Sequence, residues 1–167
     1  MKSKIILFMP SVDSGGVEKN FFLISDYLAK NCNDVVVISI SKKIKKFLNK
    51  NIELVTLNFN FWDKMSRRVK FVLGLFLLIS EIRKSKNTTV ISFQGNIYCG
   101  LLSRLLGFKL IIRSNSSPYG WSKNFFKNFL YKVGLDGAQT IIVNSYEFKK
   151  LIKKRFKIKA ECIYNPL

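Results

Sequence analysis

The chain has 167 residues, of which 48% are hydrophobic, so it can bury a real core as one domain or as one half of a two-domain enzyme. Its formal charge is +19. It contains no histidine, which excludes a Ser-His-Asp triad and removes the commonest general base and metal ligand.

The basic charge suggests an anionic partner without identifying it. A surface of this charge favours nucleic acid, an anionic membrane or a phosphorylated substrate. The chain is also rich in Lys, Asn, Ile and Phe, so many lysines could simply reflect a compositional bias and lie on solvated surface. Both interpretations stay open.

The three cysteines, Cys32, Cys99 and Cys162, show neither metal-ligand spacing nor a disulfide framework. This pattern favours a reducing compartment, and we expect no metal and no cofactor. No secretory signal is visible, and the longest apolar run, residues 71–79, is far shorter than the ~20 residues that span a bilayer. We therefore expect a cytoplasmic protein.

In chain order, the apolar patterns predict strands and helices in alternation. Apolar, β-branched runs predict strands at residues 5–9, 34–40, 52–59, 88–93, 109–113, 139–143 and 159–163. Helical spacing of apolar residues predicts helices at residues 17–31, 63–84, 97–106, 122–133 and 146–156, and residues 41–51 form a short basic helix or loop. The alternation predicts an α/β fold, a Rossmann-like doubly wound parallel sheet of about six to seven strands with helices on both faces.

The first predicted strand is followed by a loop with two adjacent glycines and then by a helix. Gly15 and Gly16 allow backbone angles that are closed to other residues. A helix that starts beside such a loop directs free N–H groups and its positive end at one point, which suits a phosphate or carboxylate. A tight connection in which the glycines only permit the turn fits these residues equally well.

Several α/β enzyme classes are excluded by missing motifs. The dinucleotide fingerprint GxGxxG is absent, and the second predicted strand carries no acidic residue at its end to bind a ribose. There is no Walker-A loop and no Gly-x-Ser-x-Gly nucleophile elbow.

Five short motifs fall at the carboxyl ends of predicted strands. They are residues 14–18 (SGGVE), 92–96 (SFQGN), 112–118 (IRSNSSP), 143–145 (VNS) and 164–166 (YNP). In this order and spacing the chain resembles the N-terminal, acceptor-side domain of family-four glycosyltransferases of the GT-B fold, of the bacterial surface-polysaccharide type. The carboxyl edge is also where open α/β sheets bind ligands.

The resemblance implies a site that faces the phosphates of a nucleotide-sugar donor. Gly15 and Gly16 would bind the donor diphosphate through backbone N–H groups and stabilise the charge of the leaving group. Glu18, in the first turn of the helix, would bind acceptor, although an acid there also complements the helix dipole. The reaction would be glycosyl transfer without a metal.

The resemblance also implies an acceptor side. Asn115 stands where many relatives carry a histidine beside the reacting centre, and it would orient an acceptor hydroxyl because an amide cannot act as a base. Arg113 would bind an acceptor phosphate bidentately, or serve as an ordinary cation at a strand end. Gln94 and Asn96 are weaker acceptor-binding candidates, since polar residues are common in turns.

We therefore expect residues 1–167 to form a single Rossmann-like domain that lacks the C-terminal, donor-binding domain of a hexosyltransferase. Alone it would not transfer sugar from a nucleotide-sugar to a glycan or lipid-linked acceptor, and a partner domain or chain would complete it. Two alternatives stay open: a non-catalytic subunit of a two-chain transferase, and a basic module that binds nucleic acid without sequence specificity.

Two stretches, residues 59–86 and 119–132, mix aromatic and basic side chains as interfacial helices do. For residues 71–79 we expect the apolar face to pack on the sheet instead. Around Trp121, contact with an anionic membrane and packing on the sheet are equally compatible with the pattern. The protein would then be cytoplasmic and peripheral on the inner face of the plasma membrane.

Overall fold

The structure, a computed structural model, describes residues 4–12, 15–85, 87–115 and 124–165, without the side chain at position 60. These residues form a seven-stranded sheet in the order β3-β2-β1-β4-β5-β6-β7. All neighbouring strands are parallel. The strands are β1 (Lys4–Phe8), β2 (Val35–Ile38), β3 (Glu53–Val55), β4 (Thr88–Ser92), β5 (Lys109–Ser114), β6 (Thr140–Val143) and β7 (Glu161–Cys162).

Helices connect the strands, as the sequence predicts. They are α1 (Gly16–Asn31), α2 (Arg67–Lys84), α3 (Asn96–Leu106), α4 (Phe125–Asp136) and α5 (Tyr146–Phe156). Two short 3₁₀ helices lie at Lys42–Phe47 and Asn60–Lys64. The predicted Rossmann-like α/β fold is therefore confirmed. Within the described residues, no helix combines the length and the apolar character needed to cross a membrane.

The two faces of the sheet carry separate hydrophobic cores because successive strand residues point to opposite sides. On β1, Ile6 and Phe8 belong to a core with residues of α2, α3, α4 and α5. Leu7 belongs to a smaller core with α1 and the first 3₁₀ helix. Helices thus cover both faces unequally, and the central strand is buried on both sides, which explains its uninterrupted apolar sequence.

A backbone-to-backbone contact joins α3 to α4. A Cβ atom added to Gly100 would lie 1.6 Å from the carbonyl oxygen of Gly134, and one added to Gly134 would lie 2.7 Å from that of Ile97. Only glycine allows helices to approach this closely. The contact fixes α3, whose first turn borders the site described below.

Some predicted boundaries are wrong. The strand predicted at 52–59 is only Glu53–Val55, because Val55 pairs with the last residue of β2 and the following residues have no strand beside them. The helix predicted at 63–84 is interrupted at Ser66, whose extended backbone separates a 3₁₀ helix from α2. The helix predicted at 122–133 is α4, in which the Asn124 side chain accepts hydrogen bonds from the backbone N–H groups of Phe126 and Lys127.

A buried ion pair joins α2 to the start of the sheet. Glu81 is buried, its Oε2 lies 2.8 Å from Lys4 Nζ, and its other oxygen contacts Lys84. Burial alone would raise the pKa of Glu81, but the hydrogen bonds from Lys4 and Lys84 outweigh it, so the pKa lies below its ordinary value of 4.5.

We expect Glu81→Gln to lower the free energy of unfolding at pH 7 by about 2 kcal/mol, because it leaves the Lys4 ammonium beside a neutral amide. The pKa of Glu81 is lower in the folded than in the unfolded protein. The carboxylate therefore stabilises the fold fully above pH 4.5, and this effect is lost as the pH falls through the pKa of the folded protein. Urea denaturation of both proteins at pH 7 and in acid measures the difference, which should shrink in acid.

The matched control is Glu161→Gln, since the Glu161 carboxylate is exposed and lies 3.6 Å from Lys149 Nζ. This change should alter the free energy of unfolding by less than about 0.5 kcal/mol. Equal effects of the two substitutions would contradict the role given to Glu81.

Candidate functional site

A cleft of about 400 Å³ opens at the carboxyl ends of the central strands. It is bordered by the start of α1, the turn after β4 and the end of β5. Six of the seven residues that the sequence predicts for the site line it: Gly15, Gly16, Glu18, Gln94, Asn96 and Asn115. Parallel strands bring these distant positions together because their carboxyl ends share one edge.

Gly15 and Gly16 form the α1 wall of the cleft, but not for the conformational reason expected. Gly15 has φ −173° and ψ 178°, extended angles that any residue adopts. Among the described residues the glycines with positive φ are Gly95 and Gly107, so the expectation of otherwise closed angles is wrong for this pair. A Cβ atom added to Gly16 would meet nothing within 4 Å. The missing side chain therefore leaves open space in the cleft rather than relieving a clash.

At the N-terminus of α1, Gly15 occupies the N-cap position and provides no side-chain acceptor. The first N–H groups of a helix have no partner within the helix, and the helix dipole adds positive potential there. Glu18 lies on the same turn, and its Oε2 would be 3.0 Å from a Cβ atom on Gly15. Its carboxylate thus curls back to the start of the helix, where negative charge is favourable.

Gln94 joins the first loop to the turn after β4. Its Nε2 donates to the carbonyl oxygen of Ser11 at 2.8 Å, and its Oε1 accepts from the backbone N–H of Ser11 at 3.2 Å. Nε2 keeps a second hydrogen to donate and Oε1 keeps a second lone pair to accept, and both could bind a ligand. The Gln94 side chain therefore has a structural role, and its role in acceptor binding stays a prediction.

Asn96, the first residue of α3, is also held in place. The Ser92 hydroxyl lies 2.7 Å from Asn96 Oδ1 and 2.9 Å from the carbonyl oxygen of Gln94. Between them stands Gly95 with φ 68°, where an added Cβ would lie 1.8 Å from the ring of Phe71. Glycine is required at this point both by the left-handed backbone and by the ring against it.

Asn115 directly follows β5 and lines the cleft. Both Nδ2 and Oδ1 of its amide are buried and have no hydrogen-bond partner within the part of the chain that the structure describes. Such buried, unpaired polar groups are rare in folded proteins because each one loses its hydrogen bonds to water. An amide that donates and accepts is thus available for a ligand.

Arg113 is the predicted residue that the structure does not bring to the cleft. It is only 4% exposed, and its Nη2 donates to Asn165 Oδ1 at 2.8 Å. Burial lowers its pKa, against a smaller opposing effect of the nearby Cys162. Its Nε has no hydrogen-bond partner among the described residues. Phosphate binding by Arg113 stays a prediction.

Two of the remaining motifs have structural roles. Ser145 caps α5, since its hydroxyl accepts from the backbone N–H of Phe148 at 3.1 Å. Asn165 holds Arg113. The parts of the predicted motifs at positions 14, 116–118 and 166, and the membrane candidate Trp121, lie outside the described residues.

Sequence reasoning missed Arg67, the first residue of α2, which lines the cleft. It also lines a second, larger cavity of about 650 Å³ between α2 and α3. No local motif marks this arginine, because its position depends on how α2 packs across the sheet. Glu18 and Arg67 are the charged side chains that line the cleft within the described ranges.

The cleft offers hydrogen-bond donors and acceptors rather than a metal site or a nucleophile. Among the residues described, no group of three or more His, Cys, Asp or Glu side chains could hold a metal ion. The buried thiol of Cys99 is no nucleophile, since burial raises its pKa to about 12 against a smaller opposing hydrogen bond with Ser92. The described lining of the cleft offers backbone N–H groups, polar side chains and the charged groups of Glu18 and Arg67.

Solved structures with the same fold are available for comparison. The Anabaena protein HepE in complex with UDP is 16% identical, with a TM-score of 0.65, over 98% of this chain and 44% of HepE. The lipopolysaccharide outer core galactosyltransferase WaaB is 16% identical, with a TM-score of 0.63, over 98% of this chain and 46% of WaaB. UGT73P12 from Glycyrrhiza uralensis, complexed with glycyrrhetinic acid 3-O-monoglucuronide, is 10% identical, with a TM-score of 0.59, over 96% of this chain and 48% of that protein.

At these identities the likeness establishes the fold, a single Rossmann-like lobe. This chain spans less than half of each of the three proteins. No protein-family model matches the sequence, and no curated protein matches it significantly.

If the Asn115 amide is kept for a ligand, it should not stabilise the empty protein. We expect Asn115→Leu to leave the free energy of unfolding unchanged or to raise it by up to about 1 kcal/mol, since it removes two unsatisfied polar atoms. Urea denaturation measures the change.

A buried polar residue whose bonds are satisfied provides the comparison. Ser103 Oγ lies 2.9 Å from the carbonyl oxygens of both Phe108 and Gly137, so Ser103→Ala should cost about 1–2 kcal/mol. A loss of similar size in Asn115→Leu would mean that Asn115 serves the fold instead.

Proposed function

We propose that this chain is the acceptor-side lobe of a GT-B glycosyltransferase that moves a sugar from a nucleotide-sugar to a glycan or lipid-linked acceptor. A second lobe, on the same or another polypeptide, would hold the nucleotide-sugar on the opposite side of the cleft. The order of the strand-end motifs and the fold shared with WaaB support this proposal.

The observation that carries the proposal is the open α1 wall. Among the described residues, neither the backbone angles nor the packing requires Gly16 to be glycine, and Gly15 at the N-cap position provides no side-chain acceptor. Both features make sense if a phosphate approaches the first N–H groups of the helix, where a side chain would block it. HepE, which shares the fold, has been solved with UDP and with UDP-glucose.

The chemistry follows from what each wall offers. An acceptor hydroxyl attacks the anomeric carbon of the donor sugar, and the bond from that carbon to the diphosphate oxygen breaks. The leaving nucleoside diphosphate takes the electron pair and gains negative charge, which the N–H groups of Gly16 and its neighbours would stabilise. The proton of the acceptor hydroxyl would pass to the diphosphate oxygen that leaves, so that the exchange is balanced.

Asn115 would hold the acceptor hydroxyl. Its Oδ1 can accept a hydrogen bond from the acceptor hydroxyl, and its Nδ2 can donate one to a neighbouring oxygen. The amide cannot remove the proton, because it is not a base. Glu18 is the acidic side chain that borders the cleft within the described residues. We therefore propose positioning for Asn115, and acceptor binding for Glu18, Gln94 and Asn96.

A bacterial surface-polysaccharide pathway fits this reading. The resemblance of the motifs points to that group, and WaaB acts on the lipopolysaccharide outer core, as its name states.

Because a lobe without a donor site cannot complete the exchange, the 167-residue chain incubated with UDP-glucose should release no sugar and transfer none.

The donor-phosphate site can be tested directly. We expect UDP to shift the backbone amide NMR signals of Gly15, Gly16 and Val17, with a dissociation constant on the order of 1 mM, because one wall alone contacts it. Uridine, which lacks the diphosphate, should leave these signals in place. A titration of the ¹⁵N-labelled chain measures both.

Gly16→Val should fold normally, because a Cβ at this position meets no atom within 4 Å, and should abolish the UDP shifts. The matched control is Phe125→Val, at the exposed first residue of α4, which should respond to UDP like the unaltered chain. Equal responses to uridine and UDP, or an unchanged response in Gly16→Val, would refute the phosphate site.

We further propose that the protein lies peripherally on an anionic membrane through α4. Phe125 is 88% exposed and Phe126 is 66% exposed, and Lys127 follows them. Apolar rings beside a cation on one surface helix suit the membrane interface. In α2, Leu78 packs into the core as expected for residues 71–79, although Phe76 is exposed.

We expect the unaltered chain to float with vesicles that contain anionic lipid, and less so as salt rises. The double substitution Phe125→Ser and Phe126→Ser should reduce this binding at least about tenfold, since each ring that enters the interface contributes more than about 1 kcal/mol. The control, Tyr27→Ser with Leu105→Ser, removes two exposed side chains on α1 and α3, outside both aromatic and basic stretches, and should have no effect. Equal losses in both proteins, or no flotation at all, would contradict contact through α4.

A further inference from the structure

A cavity of about 440 Å³ lies beside β3, the strand at one edge of the sheet, and the proposed sugar transfer does not use it. We name it the edge cavity. Among the described residues, it shares none of its lining with the cleft. Its volume falls in the range of about 300–1,000 Å³ that is typical of small-molecule sites. Its walls include Lys45, Leu48, Lys50, Ile52, Leu54 and Thr56.

The two lysines of the edge cavity belong to the basic segment at residues 41–51, whose charge the cleft leaves unexplained. Ile44 is fully buried in the smaller core and anchors this segment, whereas Lys45 and Lys50 are exposed. Neither lysine forms an ion pair with any residue that the structure describes. An anion in the cavity would therefore meet two ammonium groups that are not already neutralised.

The acidic side chains in contact with this segment do not line the edge cavity. Asp26 of α1 accepts a hydrogen bond from Asn49 Nδ2 at 2.9 Å, and its second oxygen lies 2.6 Å from Lys30 Nζ. Asp63 accepts a hydrogen bond from the backbone N–H of Lys42, at the start of the 3₁₀ helix. The Asp26 charge is thus balanced by Lys30, and the positive charge of the cavity lysines is kept.

The main chain of β3 adds a donor and an acceptor at the edge cavity. Among the described strands, β3 pairs only with β2. The carbonyl oxygen of Val55 accepts from the backbone N–H of Ser39 at 3.2 Å, so the main-chain groups of Val55 face β2. Successive residues of a strand direct these groups to opposite sides, so the N–H and C=O of Leu54 face the open edge. A ligand in the cavity would find this donor and acceptor side by side.

The side chains of β3 give the edge cavity an uncharged wall. Leu54 packs with the smaller core and Val55 with the larger one, on opposite faces of the sheet. Because side chains alternate along a strand, the Glu53 carboxylate lies on the Val55 face, away from the cavity. Leu48 and Ile52 extend the aliphatic surface of Leu54. A flat, weakly polar ring can lie against this surface, whereas sugar hydroxyls would lose their water there.

Thr56 provides one further polar group. It lines the edge cavity, yet its Oγ1 is buried and has no hydrogen-bond partner in the part of the chain that the structure describes. Rotation about a single side-chain bond changes the direction of this hydroxyl. A ligand with polar atoms would favour the rotamer that reaches it, because the hydroxyl then gains the hydrogen bond that it lacks.

We propose that the edge cavity binds a nucleoside monophosphate. The phosphate lies between Lys45 and Lys50, the base lies against Leu48 and Leu54, and the ribose lies near Thr56. The edge of the base forms hydrogen bonds with the main-chain N–H and C=O of Leu54. A base fits this place because it combines an apolar face with adjacent donor and acceptor atoms on its edge. This site lies outside the machinery of the proposed function and does not depend on it.

Adenosine 5′-monophosphate (AMP) is a suitable probe, because the N6 donor of adenine lies beside the N7 acceptor. We expect AMP to bind the unaltered chain in calorimetry and to shift the backbone amide NMR signals of Lys50, Leu54 and Thr56. Adenosine, which lacks the phosphate, and ribose 5-phosphate, which lacks the base, should each bind at least about tenfold more weakly. Binding of either compound as tightly as AMP would overturn the proposal.

Substitutions within the basic segment separate a built site from attraction to charge alone. Lys45→Gln with Lys50→Gln should weaken AMP binding at least about tenfold and leave adenosine binding unchanged. The matched control, Lys43→Gln with Lys46→Gln, removes the same charge from two exposed lysines of the same 3₁₀ helix that do not line the cavity. It should change AMP binding by less than about twofold, since exposed charges are screened by salt. Equal losses in both proteins would indicate a diffuse surface for polyanions such as nucleic acid and would overturn the proposal.

The edge cavity and the donor-phosphate site can fail independently. Lys45→Gln with Lys50→Gln should retain the UDP shifts of Gly16 and Val17, and Gly16→Val should retain AMP binding, because the two sites share no lining residue in the described chain. AMP shifts at Leu54 and Thr56 without any UDP shift at Gly16 would support the edge cavity and refute the donor-phosphate site. AMP shifts confined to Gly16 and Val17 would refute the edge cavity.

Discussion

Two hydrogen bonds between the Gln94 side chain and the Ser11 main chain hold together the loops from which the site is built. Their strands, β1 and β4, are neighbours whose last residues, Phe8 and Ser92, pair directly. The backbone N–H of Phe93 also donates to the carbonyl oxygen of Phe8, so the ends of the two strands are tied at two levels. The start of α1 and the start of α3 both border the cleft that lies beyond these bonds.

The arrangement of the fold was predictable because its causes are local. Apolar runs of five or six residues alternate with amphipathic helices, and that alternation admits few topologies other than a parallel sheet. Six of the seven residues that the motif resemblance pointed to line one cleft, since the motifs follow strands whose carboxyl ends meet at one edge. The length of β3 was not predictable, because it depends on where β2 stops supporting it.

The features that the sequence did not reveal depend on packing between distant elements. Arg67 lines the cleft because α2 crosses the sheet close to the end of β1. A Cβ atom added to Gly74 of α2 would lie only 2.9 Å from the Pro10 side chain, so this close approach requires glycine. The larger cavity between α2 and α3 is bordered by Phe71 and Gly95, which are 24 positions apart in the sequence and in close contact in the fold. Conversely, Arg113 at the end of a strand was predicted to bind a phosphate, but its guanidinium group donates a hydrogen bond to Asn165 instead.

Among the described residues, the buried side-chain atoms without a hydrogen-bond partner lie near the carboxyl ends of strands. Away from this edge, two buried polar side chains are fully paired: Ser103 with two carbonyl oxygens, and Glu81 with two lysines. The buried side-chain atoms without a partner in the described chain belong to Thr56, Arg113, Asn115 and Asn144, and the last three lie on β5 or directly after β5 and β6. A fold selected for stability alone would pair or replace such groups, because each costs about 1–3 kcal/mol when left unsatisfied. Of this group, Asn115 is the member that lines the cleft, and a ligand that supplies the missing hydrogen bonds would explain its unpaired amide.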